Sequence, residues 1–131
     1  MGGITKEDLH IILSFALHVA RVDFELAPME KNVIKRFIDM AHIDHKEIEN
    51  LTQHEFRLSE GLQSLSSNEA KVLLIKTMCA VAFSDGKNRN EENTFIYKVN
   101  RQLGDLVDLG EWDDWSSYEG DVIEVLNTIS P

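Results

Sequence analysis

The chain of 131 residues contains one cysteine, two prolines and few basic residues, and these shortages argue against several classes of protein. A single thiol, Cys79, cannot form an internal disulfide, so the chain does not read as a disulfide-stabilised secreted scaffold. There are 13 Lys and Arg against 23 Asp and Glu, which gives a formal net charge of -10. Because a surface of this charge repels phosphate backbones, we expect no nucleic-acid partner.

Long hydrophobic runs and catalytic motifs are also missing. No apolar run reaches the about 20 residues that a transmembrane helix needs, and the first five residues lack the basic start and apolar stretch of a signal peptide. We therefore expect a cytoplasmic protein with no direct membrane insertion. The chain has no Gly-rich phosphate loop and no Gly-x-Ser-x-Gly motif. No catalytic residue can be named, and we predict that the protein is not an enzyme.

The periodicity that the chain does have is helical throughout. Two segments are apolar on most sides, which predicts central, buried helices. The first has Leu9, Ile12, Leu13, Ala16, Leu17 and Ala20 on one face and Ile11, Phe15, Val19 and Val22 on another, and the second includes Val72, Leu73, Leu74, Ile75, Met78, Val81 and Ala82. Each is followed by an acidic turn and a helix with one apolar stripe. Those stripes are Val33, Ile34, Phe37, Ile38 and Ala41, and Phe95, Ile96, Val99 and Leu103. A last helix is predicted from Val122, Val125, Leu126 and Ile129.

Capping boxes predict where three helices start. They pair Thr5 with Asp8, Asp44 with Glu47, and Ser66 with Glu69. Strict alternation of apolar and polar residues, the signature of a strand, is not found over any useful length. The sequence therefore predicts an all-α protein.

The two central helices belong to an internal repeat. Shifting the chain so that Asp23 falls on Asp85 also places Glu30 on Glu92 and Ile34 on Ile96. We predict one all-α domain over residues 1–131, a single bundle of six or seven helices built on a duplicated helix-turn-helix hairpin. Repeat one covers about residues 5–42 and repeat two about 66–104, followed by a C-terminal segment and helix at 105–131. We expect the two buried helices to pack together with pseudo-twofold symmetry.

The repeated acidic turns allow two interpretations. Asp23 and Asp85 close their helices at the negative end of the macrodipole, where a lone carboxylate is unfavourable unless something offsets it. In the structural interpretation, backbone N–H groups of the turn bind these carboxylates, while Glu30 and Glu92 lie in the first turn of the next helix, where the dipole favours them.

In the functional interpretation, the same turns bind a divalent cation. Asp23, Glu25 and Glu30, or Asp85 with Glu92, supply the hard oxygen ligands that calcium or magnesium prefers over the ligands typical of zinc. The loop is not an EF-hand, because Lys87 and Arg89 stand where oxygen ligands belong. Five scattered histidines show no spacing that favours a zinc site.

The second acidic turn carries a resemblance to a known family. Ala82-Phe83-Ser84-Asp85-Gly86, with an acid at Glu92, lies between a buried helix and an amphipathic one. With its first copy, this arrangement resembles the TerB-like family associated with tellurite resistance, over roughly residues 4–104. The first copy departs from the family pattern, because Phe24 stands where the family usually has glycine.

The resemblance implies an all-α bundle with acidic residues proposed to bind metal, in proteins linked to metal or oxidant stress. The corresponding residues here are Asp23 and Glu30 in the first copy and Asp85 and Glu92 in the second. It implies no known catalytic activity.

Two tryptophans among acids, Trp112 and Trp115, form the least ordinary stretch outside the turns. Both rings either cover the end of the bundle before the last helix, since aromatic rings bury much apolar area, or form an exposed hot spot for a protein partner. The acidic surroundings favour a basic partner in the second case.

Three functions remain open from the sequence. The first is a non-enzymatic, stress-associated module that binds a divalent cation at one or both acidic turns. The alternative is a protein–protein interaction scaffold in which the acids only cap helices and the tryptophan segment or a groove binds a protein. Metal-assisted hydrolysis by carboxylates is the third, and metal dependence separates it and the first from the second.

Overall fold

The described part of the chain forms a bundle of seven α-helices, an all-α architecture that the helical periodicity predicted. The computed structural model describes residues 4–20, 28–53, 57–83, 90–110 and 112–129, and within these ranges every regular element is helical. The helices are α1 (Lys6–Ala20), α2 (Pro28–Ala41), α3 (His45–Gln53), α4 (Leu58–Ser64), α5 (Asn68–Phe83), α6 (Asn90–Gln102) and α7 (Tyr118–Ile129). A 3-10 helix at Trp112–Ser117 leads directly into α7. No helix in the described ranges is long and apolar enough to cross a membrane.

Helices α1 and α5 form the centre of the bundle, which confirms their predicted burial. On α1, Ile12, Leu13 and Val19 have no exposed surface, and α5 buries ten side chains from Ala70 to Ala82. The two helices pack on each other, and α5 also contacts α2, α6, α7 and the 3-10 helix. A helix that is apolar on most sides is stable only when other elements surround it. Each Å² of apolar surface that is buried contributes roughly 25 cal/mol to stability, and an exposed face forgoes this contribution.

Cys79 belongs to this core. Its side chain is fully buried, and burial raises the pKa of its thiol far above the ordinary value. A buried, protonated thiol behaves as a small apolar group and is a poor nucleophile. Cys79 therefore serves the protein as a small core residue.

Two of the three predicted capping boxes are present. The Thr5 backbone N–H donates to the Asp8 carboxylate at 2.8 Å, and the Asp8 N–H donates to the Thr5 hydroxyl at 3.1 Å. The same reciprocal pair joins Asp44 and Glu47 at 2.9 Å in both directions. These side chains satisfy N–H groups that the first turn of a helix leaves without partners.

The third predicted cap is displaced by one residue. Helix α5 begins at Asn68, and the hydroxyl that accepts the N–H of Ala70, at 3.2 Å, belongs to Ser67. Ser66 does not cap α5 in the predicted way. Its hydroxyl and its backbone N–H both donate to the carboxylate of Asp8, 58 residues earlier in the chain. The buried carboxylate of Asp8 on α1 therefore binds Ser66, the serine that the capping pattern predicts at the start of α5.

Helix α4 was not predicted from the sequence. It is only seven residues long, with one buried side chain, Leu62, so it has too few apolar positions for a periodic signal. The helix lies close against α1 at Gly61, where an added Cβ would come within 2.8 Å of the Phe15 ring. The missing side chain lets the two helices approach each other here.

Candidate functional site

Helices α1 and α5 run in the same direction through the bundle. At one end, Asp8 near the start of α1 binds Ser66 just before α5. At the other end, His18 in the last turn of α1 lies with its ring centroid 4.8 Å from that of Phe95 on α6, the helix that follows α5. The ends of α1 and α5, from which the two acidic segments continue, therefore lie at the same end of the bundle.

The two predicted glutamates occupy equivalent backbone positions. Glu30 is the third residue of α2, and Glu92 is the third residue of α6. This confirms the prediction that both lie in the first turn of the second helix of a hairpin, where the helix dipole favours a carboxylate. The equivalence also matches the register of the sequence repeat.

The other predicted ligands lie outside the described residues. Asp23, Glu25 and Asp85 fall in residues 21–27 and 84–89, and the side chains of Glu30 and Glu92 are likewise not described. Among the described side chains, no group of three or more His, Cys, Asp or Glu is arranged to hold a metal ion. The cation hypothesis therefore rests on the repeat and on the placement of the helix ends.

The described surroundings of this end of the bundle are mostly apolar. Phe95 lies 6.4 Å from Phe15 between ring centroids and also contacts His18. Burial lowers the pKa of His18, which favours the neutral imidazole at neutral pH. A neutral imidazole adds no positive charge that would repel a cation bound nearby.

Trp115 is part of the core and not of an exposed partner surface. Its side chain is 1% exposed, and its indole Nε1–H donates to the backbone carbonyl of Leu109 at 2.8 Å. The ring therefore covers the interior before α7, in line with the structural alternative that the sequence left open. Trp112 begins the 3-10 helix, and its side chain lies outside the described residues. The partner surface predicted from both tryptophans is thus not formed by Trp115.

Asn100 is a structurally important residue that sequence analysis overlooked. Its side chain is buried, donates from Nδ2 to the Val107 carbonyl at 2.8 Å, and accepts from the Val107 N–H at 3.2 Å. The amide thus holds residues 105–110 against α6 by both of its polar groups. The sequence does contain a signal for this role, because Asn100 follows Ile96 by one turn on the apolar stripe of α6. An amide on a buried stripe needs hydrogen-bond partners.

A small apolar cavity lies between α2, α5 and α7. Its lining includes Val33, Val81 and Val122, and an ion pair of 2.9 Å between Arg36 and Glu119 crosses its edge. Its volume of about 10 Å³ is close to that of a single water-sized sphere. Such a cavity has no room for a small-molecule substrate unless α2 and α7 separate.

Comparison of the chain with models of protein families, with curated proteins and with solved structures finds no match.

Proposed function

We propose that this chain is a TerB-like, non-enzymatic module that binds a divalent cation at its acidic inter-helix turns. The observation that supports the proposal most directly is the common placement of both helix ends. Because α1 and α5 run in the same direction, both acidic segments continue from the same end of the bundle. The carboxylates of these two segments and of the helix starts that follow them are Asp23, Glu25, Glu30, Asp85 and Glu92, of which Asp23 with Asp85 and Glu30 with Glu92 are repeat pairs.

The chemistry of these ligands favours calcium or magnesium. Carboxylate oxygens are hard ligands, and irregular turns that hold two or three of them bind such ions more weakly than an EF-hand does. The cation would offset the unfavourable interaction of Asp23 and Asp85 with the C-terminal dipoles of their helices. The family resemblance places such a module in metal or oxidant stress.

A metal titration followed by amide NMR tests this function. The full chain is titrated with calcium, magnesium, manganese and zinc, and wild type is compared with Asp85→Asn and Glu92→Gln. We expect saturable amide shifts at residues 21–30 and 84–92, lost or weakened in both variants. Asp39→Asn is the matched control, because Asp39 is an exposed carboxylate on α2 with no ion pair among the described residues.

Two outcomes would decide against cation binding. One is that no ion moves these amides, while Asp85→Asn and Glu92→Gln each lower stability by about 1 kcal/mol, as the loss of a helix cap does. The other is that Asp39→Asn weakens the response as much as Asp85→Asn does. In either case the turns would only join and cap helices.

A further inference from the structure

The negative charge of this protein is concentrated in its last part. From residue 102 to residue 131 the chain has no Lys, Arg or His, while its acidic residues are Asp105, Asp108, Glu111, Asp113, Asp114, Glu119, Asp121 and Glu124. This part of the chain contains α7, the 3-10 helix and the segment that leads to them. Of these acids, Asp105 and Asp108 lie in the segment that directly follows α6.

Two of these acids are already neutralised by basic residues from other helices. Arg36 on α2 contacts Glu119 at 2.9 Å, and Lys76 on α5 contacts Asp121 at 3.2 Å. These pairs help to hold α7 on the bundle. Asp105 and Asp108 are exposed, and neither has an ion pair with another described residue.

An exposed aromatic ring lies beside these acids. Tyr97 on α6 is 44% exposed, its ring centroid is 6.0 Å from that of buried Trp115, and its hydroxyl donates to the Gly110 carbonyl at 3.4 Å. The ring is thus backed by the core and tethered at its tip. A ring that is ordered before binding loses little conformational entropy when it contacts a partner.

Leu106 adds aliphatic surface on the segment that Asn100 holds against α6. It is 37% exposed, and Tyr97 and Leu106 are the large hydrophobic residues that the described part of the chain exposes. The bonds between Asn100 and Val107 fix the backbone next to Leu106. Leu106 therefore lies on backbone that is tied to α6, the helix that carries Tyr97.

One further carboxylate lies against Gly110, the residue whose carbonyl Tyr97 binds. The Asp114 carboxylate lies against Gly110, since a Cβ added there would be 2.5 Å from its Oδ2. The Tyr118 hydroxyl donates to the Asp108 carbonyl at 3.2 Å. Burial is the largest cause that raises the pKa of Tyr118, and Cys79, Asp114, Asp108 and Asp121 add to the shift.

We propose that the acidic aromatic surface, formed by Tyr97, Leu106, Asp105, Asp108 and Asp114, docks a basic segment of another protein. Charge complementarity identifies the partner: the carboxylates attract Arg or Lys, the Tyr97 face accepts a cation, and Leu106 contacts the aliphatic stem of such a side chain or a neighbouring apolar residue. This inference concerns a different part of the molecule from the acidic turns and does not depend on cation binding.

The exposed cations of α6 set one boundary of the surface. Lys98 and Arg101 lie on the same helix as Tyr97 and are exposed. They oppose a basic segment along the rest of α6, so the bound segment lies over Tyr97, Asp105 and Asp108.

Peptide binding to the full-length chain tests the proposal. The probe is a short synthetic peptide of arginine and leucine, and its control has citrulline in place of every arginine, which removes the charge at nearly constant shape. We expect saturable amide shifts at Tyr97 and at residues 105–110 and 114–118 with the arginine peptide only. Binding should weaken as salt rises, because the exposed charges are screened.

Charge-matched variants separate the surface from general attraction to an acidic protein. The double variant Asp105→Asn with Asp108→Asn should bind about three- to tenfold more weakly, the range expected for two exposed charge pairs. The control double variant Asp39→Asn with Glu124→Gln changes the net charge equally on other exposed sites and should bind as wild type does. Tyr97→Ser should also weaken binding, and because the ring packs on Trp115, circular dichroism of this variant checks that the fold is kept.

Several results would overturn the proposal. Equal binding of the citrulline peptide would exclude a role for charge, and equal weakening by both double variants would exclude a defined surface. Competition by spermine as strong as by the peptide would show general cation binding without the apolar contacts. Shifts at residues 28–30 and 90–92 in place of residues 97–118 would move the interaction to the acidic turns.

Discussion

Asp8→Asn is expected to destabilise the protein strongly. Among the described helix caps, no other replacement of a carboxylate by its amide should lower the free energy of unfolding as much. The Asp8 side chain is 1% exposed, and its two oxygens accept hydrogen bonds from the Thr5 N–H, the Ser66 N–H and the Ser66 hydroxyl. One carboxylate thus closes the first turn of α1 and ties it to the chain just before α5.

The cost follows from the geometry of the donors. An asparagine keeps one acceptor oxygen and turns the other position into an N–H donor. The Thr5 N–H and the Ser66 N–H point at different oxygens of Asp8, so one backbone N–H faces an amide N–H whichever way the asparagine is oriented. Hydrogen bonds to charged groups contribute about 1.5–3 kcal/mol, and we expect Asp8→Asn to lower the free energy of unfolding by about 2–3 kcal/mol.

Urea denaturation followed by circular dichroism at pH 7 measures this difference. Glu47→Gln is the matched control, because Glu47 holds the equivalent position in the capping box of α3 and is 29% exposed in its side chain. It binds the Asp44 N–H and has longer contacts with Lys6 at 3.9 Å and His10 at 3.5 Å, but it lacks an equivalent of the Ser66 bonds. We expect Glu47→Gln to cost about 0.5–1 kcal/mol, the usual range for a cap.

The pH dependence of Asp8 has a definite sign. Burial acts to raise the pKa of Asp8, but the hydrogen bonds from Ser66 and Thr5 outweigh it, so the pKa lies below its ordinary value. A carboxyl group whose pKa is lowered by folding adds stability above the pKa of the unfolded chain, about 3.9. That stability is lost as the pH falls through the pKa of the folded state.

The difference in stability between wild type and Asp8→Asn should therefore be constant from pH 7 to about pH 5 and shrink below about pH 4. The reasoning fails if Asp8→Asn costs no more than Glu47→Gln at pH 7. It also fails if the difference between wild type and Asp8→Asn stays unchanged down to pH 3.

Three further predictions concern the glycines, the thiol and the buried amide. Gly61→Ala should lower the free energy of unfolding by about 1 kcal/mol or more, because overpacking against the buried Phe15 ring costs about 1–3 kcal/mol and exceeds the gain in helix propensity. Gly120→Ala should raise the free energy of unfolding by about 0.5 kcal/mol, because an added Cβ there has no atom within 4 Å. Equal effects of the two substitutions in urea denaturation would refute this difference. Cys79 should react with a thiol reagent at the rate of global unfolding, and fast labelling of the native protein would contradict its burial. Asn100→Ala should cost about 2–3 kcal/mol, because two backbone groups lose their partner, and a loss below 1 kcal/mol in the same assay would show that water replaces it.

The sequence alone was sufficient to predict the features that depend on neighbouring residues. The central helices are recognisable because their apolar residues occupy most of the circumference, and the capping boxes of α1 and α3 because both partners lie within one turn. The repeat correctly placed Glu30 and Glu92 at the start of their helices. Local periodicity and capping are short-range interactions, so a single sequence reports them.

The candidate site could be predicted only in part. The sequence identified the acidic residues, but which of them share one end of the bundle depends on the directions of α1 and α5. Those directions follow from contacts such as His18 with Phe95, which join residues far apart in the chain. The family resemblance and the cation remain predictions.

Only the tertiary structure decided the roles of Asp8, Trp115, Asn100 and Tyr97. From the sequence, Asp8 is an ordinary helix cap, and only the structure shows that it also binds Ser66. The sequence left open whether Trp115 lies in the core or at the surface, and the structure shows that it is buried against α5. Tyr97 is exposed because its helix turns it away from the core while Trp115 fills the space behind it. The amino-acid sequence determined which residues can be buried or hydrogen-bonded. The packing of distant segments determined which partner each residue has, because the energy of burial depends on all the residues that surround a side chain and not only on its neighbours in sequence.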